Sequence, residues 1–499
     1  LHFVVSRSVL QPQRDFDRSP TFTAPHSHRW RSKEKIAMRL RHHGALIALS
    51  ALLWPQVSHA QGAAPPPPAE APPPPPAEAP PAPPPPPPAA AGPTFLSLGG
   101  DWKLAFHGFA GASFYVQDTP AFVFNGQGPL LPLSKPGYGF TTGADVRQTR
   151  FSLAISGPQV LGATPKALIE MDFFGLNGPG GYGEVSVLPR LRLAYTELNW
   201  GNDVIRVGQD HELIIGLTTE SIGHQAYPVT YFNGFIGWRE PGIGYFHTIP
   251  MGESKLELAL QVIKSDWENP ADFGSNNIED LNVDFGQLSG WPGVEGRLKF
   301  SSPSFMAFVA GHYNHVEGSH ADGIAVPPAA LPPAQYGGVV SGVVSSPTRD
   351  WDVVAGTAGF KVSGGGLTLA ANAYVGQNLA PFLGELLQFS ATTNVFEWGG
   401  WGELGYEMPF LKSLSIWGVG GTSRPKQGDI MSNGGGRLSS TVVGGMIRYQ
   451  EKGFTFGPEF YHVMTKDIQA DGTGAPSGAG APDGEIDVNQ FMMSAMYFF

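Results

Sequence analysis

The sequence predicts an all-β fold, a transmembrane antiparallel β-barrel of about 16 strands, and three observations carry that prediction. Between Val146 and Asp210, four consecutive segments, VRQTRFSLAIS, KALIEMDFF, PRLRLAYTEL and VIRVGQD, alternate apolar side chains with small, polar or charged ones. Nowhere does the chain reach the roughly 18 consecutive apolar residues of a membrane helix, so any span has to be built from strands. The connections alternate in length. MGES (251–254), SSPS (301–304), SGGG (363–366), FLKS (410–413) and EKG (451–453) are short, whereas those near 117–145, 211–240, 266–290, 316–350, 377–399, 423–439 and 465–486 are long. Tight turns at one rim and long loops at the other are the asymmetry of membrane barrels, with an even strand count leaving both ends at the short-turn rim.

Taken in order, residues 1–37 open on Leu1, mix basic and aromatic side chains without periodicity, and read as an over-extended start or a disordered extension. Residues 38–60 read as a signal peptide: MRLRHH is the basic region, GALIALSALLW the apolar one, and Ser58-His59-Ala60 the cleavage site. The first 60 residues hold 9 basic and 3 acidic side chains, leaving 22 basic and 39 acidic, a net charge of −17. So acidic a remainder disfavours nucleic acid as a partner. Residues 61–97 are a Pro/Ala-rich spacer, almost wholly Pro, Ala and Glu from Ala63 to Pro93, which favours extended polyproline II and cannot bury a core. The whole chain of 499 residues is 41% hydrophobic and 15% charged, with 66 Gly and no Cys, less charged than an ordinary cytosolic enzyme. Absence of Cys excludes a disulfide framework and thiolate metal sites and fits an exported protein.

Residues 98–499 form the predicted barrel. Its first strand, DWKLAFHGFAGASFYV, sets Trp102, Leu104, Phe106 and Phe114 against Lys103, His107 and Ser113. In RLRLAY, Arg190 and Arg192 are expected to share a face with Ala194, with Leu191, Leu193 and Tyr195 on the other. Further strands are GIGYFHTI, KLELALQVIK, GVEGRLKFS, FMAFVAGHYNHV, WDVVAGTAGFKV, LTLAANAYVG, GELGYEM, LSIWGVGGT, TVVGGMIRYQ, GFTFGPEFYHVM and DVNQFMMSAMYFF. WDVVAGTAGF and LSIWGVGG hold too much Gly and Ala to assign a facing, and Met306 and Phe308 fall on an otherwise polar face. Trp102, Tyr195, Trp200, Tyr313, Trp401 and Tyr449 suit interfacial girdles or, equally, an ordinary aromatic core. At the end, Phe491, Met493, Ala495, Tyr497 and Phe499 make one apolar row fit to close the barrel against the first strand.

RQTRFSLAISGP, IEMDFFG and LRLAYTELNWGNDVIRVGQD resemble the opening strands of Gram-negative trimeric porins, most nearly the DcaP-like porins and more distantly the phosphate-selective porins O and P. A DcaP-like pattern carries a coiled coil where this chain has its proline spacer. The resemblance implies a homotrimer in the outer membrane among lipopolysaccharide, inserted by the barrel assembly machinery, with the spacer in the periplasm. It also implies a passive channel for small hydrophilic solutes, and a loop from His211 to about Glu240 that folds inward and brings Glu212 and Glu220 towards the wall.

On that wall, Arg150, Lys166, Glu170, Asp172, Arg190, Arg192, Arg206 and Asp210 are expected to face the lumen. Guanidinium groups there would grip carboxylates in two-point fashion, favouring organic anions at a constriction, while the acidic loops and the net charge of −17 pull towards cations, so the ion preference stays open. Equally, Arg150 and Arg192 flank Glu170 and Asp172, so the charges could simply pair across strands and stiffen the wall. Two further roles stay open, a plugged structural barrel tethering the envelope through its proline arm, and an outer-membrane enzyme. For the enzyme no nucleophile-base-acid set or phosphate-binding loop stands out. No cofactor or metal is expected: His312 and His315 point to opposite sides of a strand, His211-Glu212 lacks a second His, and the acidic stretches Asp272–Asp284 and Asp467–Asp487 lack calcium-loop spacing.

Overall fold

The computed structural model describes residues 96–119, 126–132, 139–175, 188–264, 290–317, 350–388, 393–432, 435–469 and 484–499. The segments 1–37 and 38–60, nearly all of the spacer and the stretch Asp272–Asp284 lie outside the described residues. The strands are β1 (Leu96–Gly99), β2 (Trp102–Gln117), β3 (Thr141–Asp145), β4 (Arg150–Ser156), β5 (Thr164–Gly175), β6 (Leu188–Asn199), β7 (Asp203–His211), β8 (Arg239–Met251) and β9 (Ser254–Ile263). They continue as β10 (Gly293–Ser301), β11 (Phe305–Val316), β12 (Trp351–Gly364), β13 (Leu367–Gln377), β14 (Phe396–Met408), β15 (Leu411–Pro425), β16 (Gly435–Glu451), β17 (Phe454–Gln469) and β18 (Glu485–Phe498).

Apart from β3 and β4, which do not pair with each other, each strand pairs antiparallel with its sequence neighbour. β3 and β4 pair with successive halves of β2, so together they make one interrupted stave, and β2 to β18 close a 16-strand barrel. Closure runs from Gln490 opposite Gln117 to Phe498 opposite Phe109, and Phe499 exchanges two 3.1 Å backbone hydrogen bonds with Gly108. Below that point β1 takes the vacant edge of β2, with Leu96 opposite Leu104. Closing the sheet removes its edges, which a membrane requires.

The alternation read from the sequence sorts inside from outside. Phe106, Phe114, Phe491, Met493, Tyr497 and Phe499 are exposed on the outer surface, while Ser113, Gln117, Gln490 and Ser494 are buried within. The Gly-rich β12 also resolves: Trp351, Val353, Ala355 and Thr357 turn inward, and Val354, Phe360 and Val362 outward. Phe308 does sit inside, buried with its ring against Gly216 of the stretch that partly fills the lumen. Short links join the strands at one rim. Between β12 and β13 only Gly365 and Gly366 intervene, at φ +61° and +84°, the paired positive φ of a hairpin turn whose twist matches the strands.

Two expectations need correction. Glu170 lies opposite Leu193 and Met171 opposite Leu191, leaving Arg192 as the extra residue of a β-bulge. Beyond the bulge the facing inverts, so Tyr195 and Glu197 join Arg190 and Arg192 inside while Ala194 pairs with outward Ile169. Of the proposed girdle aromatics, Trp102, Trp200 and Tyr313 are exposed outside, but Trp401 is buried in the lumen and Tyr195 lies beneath the Arg206 guanidinium.

Candidate functional site

Residues 212–238, between β7 and β8, fold into the barrel. The segment has many apolar side chains but no strand alternation, and almost all of it is buried. Tyr227, Tyr231, Phe232 and Phe235 pack on Trp401, Ile214 and Ile236 on Trp351 and Tyr374, Val229 on Tyr461, and Ile222 on Trp417 and Met496. The segment thus lies along the wall from β11 to β18. At its tip the fit is backbone to backbone: a Cβ on Gly234 would lie 2.2 Å from the Gly400 carbonyl oxygen, and one on Gly421 2.1 Å from that of Asn233. Glycine on both sides is what admits this approach.

Buried carboxylates receive the segment's free N–H groups. Glu459 accepts from Ile222 N (2.5 Å), Gly223 N (2.9 Å) and Ser221 Oγ (3.0 Å). Glu403 accepts from Glu220 N at 2.8 Å and Glu295 from Leu213 N at 2.6 Å. Non-repetitive backbone inside a barrel has to find such acceptors.

A cavity of about 480 Å³ lies between this segment and the wall formed by β4 to β8 and β10. Arg150, Glu170, Arg192, Arg206 and Asp210 line it. Asp172 is fully buried just behind, accepting from Arg190 at 2.5 Å and Arg192 at 2.9 Å, while Arg192 also donates to Glu170 at 2.7 Å. Arg206 bonds Glu197 at 2.7 Å and also Asp210. Three cations tie wall to segment: Arg150 donates to the Gln225 carbonyl (3.0 Å), Arg190 to the Tyr227 hydroxyl, and Arg297 to the Ile215 carbonyl (3.3 Å). The wall therefore carries cross-strand pairs and cavity-facing cations at once.

Glu212 and Glu220 lie elsewhere. Glu212 is buried at the segment's base, accepting from Trp238 N at 2.7 Å. Glu220 turns to the opposite wall and pairs with Arg448 at 2.9 Å and Lys361 at 3.6 Å. His312 and His315 do face opposite sides, the first buried against Glu295 at 3.1 Å, the second with Asp352 at 2.8 Å.

Sequence reading missed Arg239, Arg297 and Lys299, which also line the cavity. The alternation of GVEGRLKFS placed Arg297 and Lys299 on one face, and that signal was legible. Arg239 stacks on Trp238 at 4.0 Å. Among the described residues neither Arg239 nor Lys299 makes a close ion pair with a carboxylate, although Glu257, which Arg297 takes at 2.9 Å, also stands opposite Lys299 across the β9/β10 ladder.

No family model and no curated protein matches the sequence. Among solved structures, the outer membrane channel DcaP of Acinetobacter baumannii superposes with a TM-score of 0.58 at 13% identity, covering 80% of this chain and 98% of that one. An anion-selective porin from Comamonas acidovorans gives 0.50 at 10% identity, covering 80% of this chain and 100% of that one. The chain has the porin fold. At these identities the likeness is one of fold.

One buried group makes the segment's docking in this porin fold sensitive to acid. His224 bonds Gln490 through Nε2 at 2.9 Å, stacks edge-on against Tyr461 at 5.4 Å, and is pushed down to about 4 by burial. A released segment would protonate near pH 6.5 and the docked one only near 4. Docking strength is therefore complete above about 6.5, falls as pH drops from there to about 4, and levels off below, a loss of about 3 kcal/mol at most. Wild-type conductance should become unsteady across that window, while His224→Gln, which keeps a donor for Gln490, should give a flat profile. A flat wild-type profile would refute the acid sensitivity, and one that persists in His224→Gln would exclude His224 as its cause.

Proposed function

We propose that the protein is an outer-membrane porin, a passive channel for small hydrophilic solutes that favours organic anions. One observation carries the preference: the cavity lining gathers Arg150, Arg192, Arg206, Arg239, Arg297 and Lys299 against the carboxylates of Glu170 and Asp210, and Arg239 and Lys299 make no close ion pair among the described residues. In a narrow gap with low-dielectric walls this local charge governs ions more than the net −17 of residues 61–499 does. The fold shared with a porin described as anion-selective supports the reading. The assembly we propose is a homotrimer among lipopolysaccharide, inserted by the barrel assembly machinery, with residues 61–97 as a periplasmic spacer.

In planar bilayers under a salt gradient, the reversal potential should report anion preference. The double variant Arg239→Gln, Lys299→Gln should move it measurably towards zero. A cation-selective wild type would refute the preference, and a folded protein with no conductance would favour the plugged structural barrel.

A further inference from the structure

We propose that the cavity favours carboxylates carrying a short apolar chain over equally charged compact ones, an inference that rests on the anion-channel reading above. The cavity has two unlike faces. The barrel wall brings Arg206, Arg297 and Lys299, and the inserted segment brings Ile215, Leu217 and Pro228. Ile215 and Leu217 are half-buried, packed against the cluster around Phe235 and Trp401 yet also bordering the cavity.

Their position is held from two directions. Arg297 donates to the Ile215 carbonyl at 3.3 Å, which sets a cation directly beside an apolar side chain. The Phe308 ring lies where a Cβ on Gly216 would be, its nearest atom 2.1 Å from that point, so the strip from Ile215 to Leu217 rests on a rigid support. On the facing wall, Phe246 lines the cavity under the Arg206 guanidinium, 5.0 Å from its ring centre. Arg206 is held by Glu197 and Arg297 by Glu257, and Arg239 is buried against Trp238, so the head group's partner is Lys299, which shares Glu257 across the ladder but makes no close ion pair with it.

A compact hydrophilic anion at Lys299 leaves the apolar strip facing water. An anion with an alkyl chain covers it and gains the free energy of that burial. Apolar lining with a few placed charges is how a site recognises an amphipathic solute rather than a bare ion.

The full-length protein in planar bilayers carries the test, with acetate, succinate and hexanoate added against a chloride current. Hexanoate should reach half-block at about tenfold lower concentration than acetate, the effect of covering roughly two methylene groups. Succinate, charged at both ends, should block no better than acetate at the strip. Leu217→Ser should bring the hexanoate-to-acetate ratio close to one, and Ile215→Ser serves if that variant fails to insert. Equal block of the wild type by hexanoate and acetate overturns the proposal, as does a ratio that survives both substitutions. The reversal potential is read in the same membranes before any carboxylate is added, so a cation-selective current counts against the anion channel, not against the apolar strip.

Discussion

Replacing Glu459 by alanine is expected to free the inserted segment and enlarge the channel, raising single-channel conductance several-fold. Glu459 is buried and is the shared acceptor for Ile222 N, Gly223 N and Ser221 Oγ. Each buried donor left without a partner costs about 1–3 kcal/mol, and the lost charge-assisted bonds bring the total to about 3–5 kcal/mol. The apolar contacts of Tyr227, Tyr231 and Phe235 do not replace them, because a peptide N–H needs an acceptor or water. Glu459→Gln keeps one acceptor oxygen and should fall between the two. Protease cutting within 212–238 in Glu459→Ala but not in wild type would locate the change. If conductance and cutting match wild type, the packing alone holds the segment.

Asp172→Ala should act on the other wall and on stability first. The carboxylate is fully buried and collects Arg190 Nε (3.0 Å), Arg190 Nη2 (2.5 Å), Arg192 Nη1 (2.9 Å) and Phe174 N (3.1 Å). Removing it leaves two guanidinium groups sharing Glu170 and the Tyr227 hydroxyl, a loss of about 3–5 kcal/mol for a broken buried pair. The barrel should unfold at a lower temperature, seen as an earlier shift in gel migration on heating, and the surviving channels should favour anions more strongly. Unchanged heat resistance would mean that the network contributes charge but no rigidity.

The pairing seen around Asp172 bears on the choice between an arginine constriction and a stiffened wall. Arg190 and Arg192 are spent largely on Asp172 and Glu170, whereas Arg239 and Lys299 line the cavity without a close ion pair among the described residues. The residues easiest to notice in the sequence are thus the paired ones. Arg239 was hard to find because it stands at the junction of loop and strand, where no alternation marks it. Glu459 was harder still, a single carboxylate on an inward position of GFTFGPEFYHVM whose partners lie more than 230 residues away.

What the sequence determined by itself is the barrel: the count of staves, the inside and outside of those with clear alternation, the short-turn rim, and the aromatic row that closes β18 on β2. These follow from a two-residue period and from turn residues, both local properties of the chain. Only the tertiary structure decided the bulge at Arg192 that turns Tyr195 and Glu197 inward. It also decided which part of the lumen the segment 212–238 fills, and which cations line the cavity that remains. Those outcomes depend on contacts between residues far apart in sequence, where a bulge inverts the alternation and a loop's place is set by whichever wall offers acceptors for its backbone.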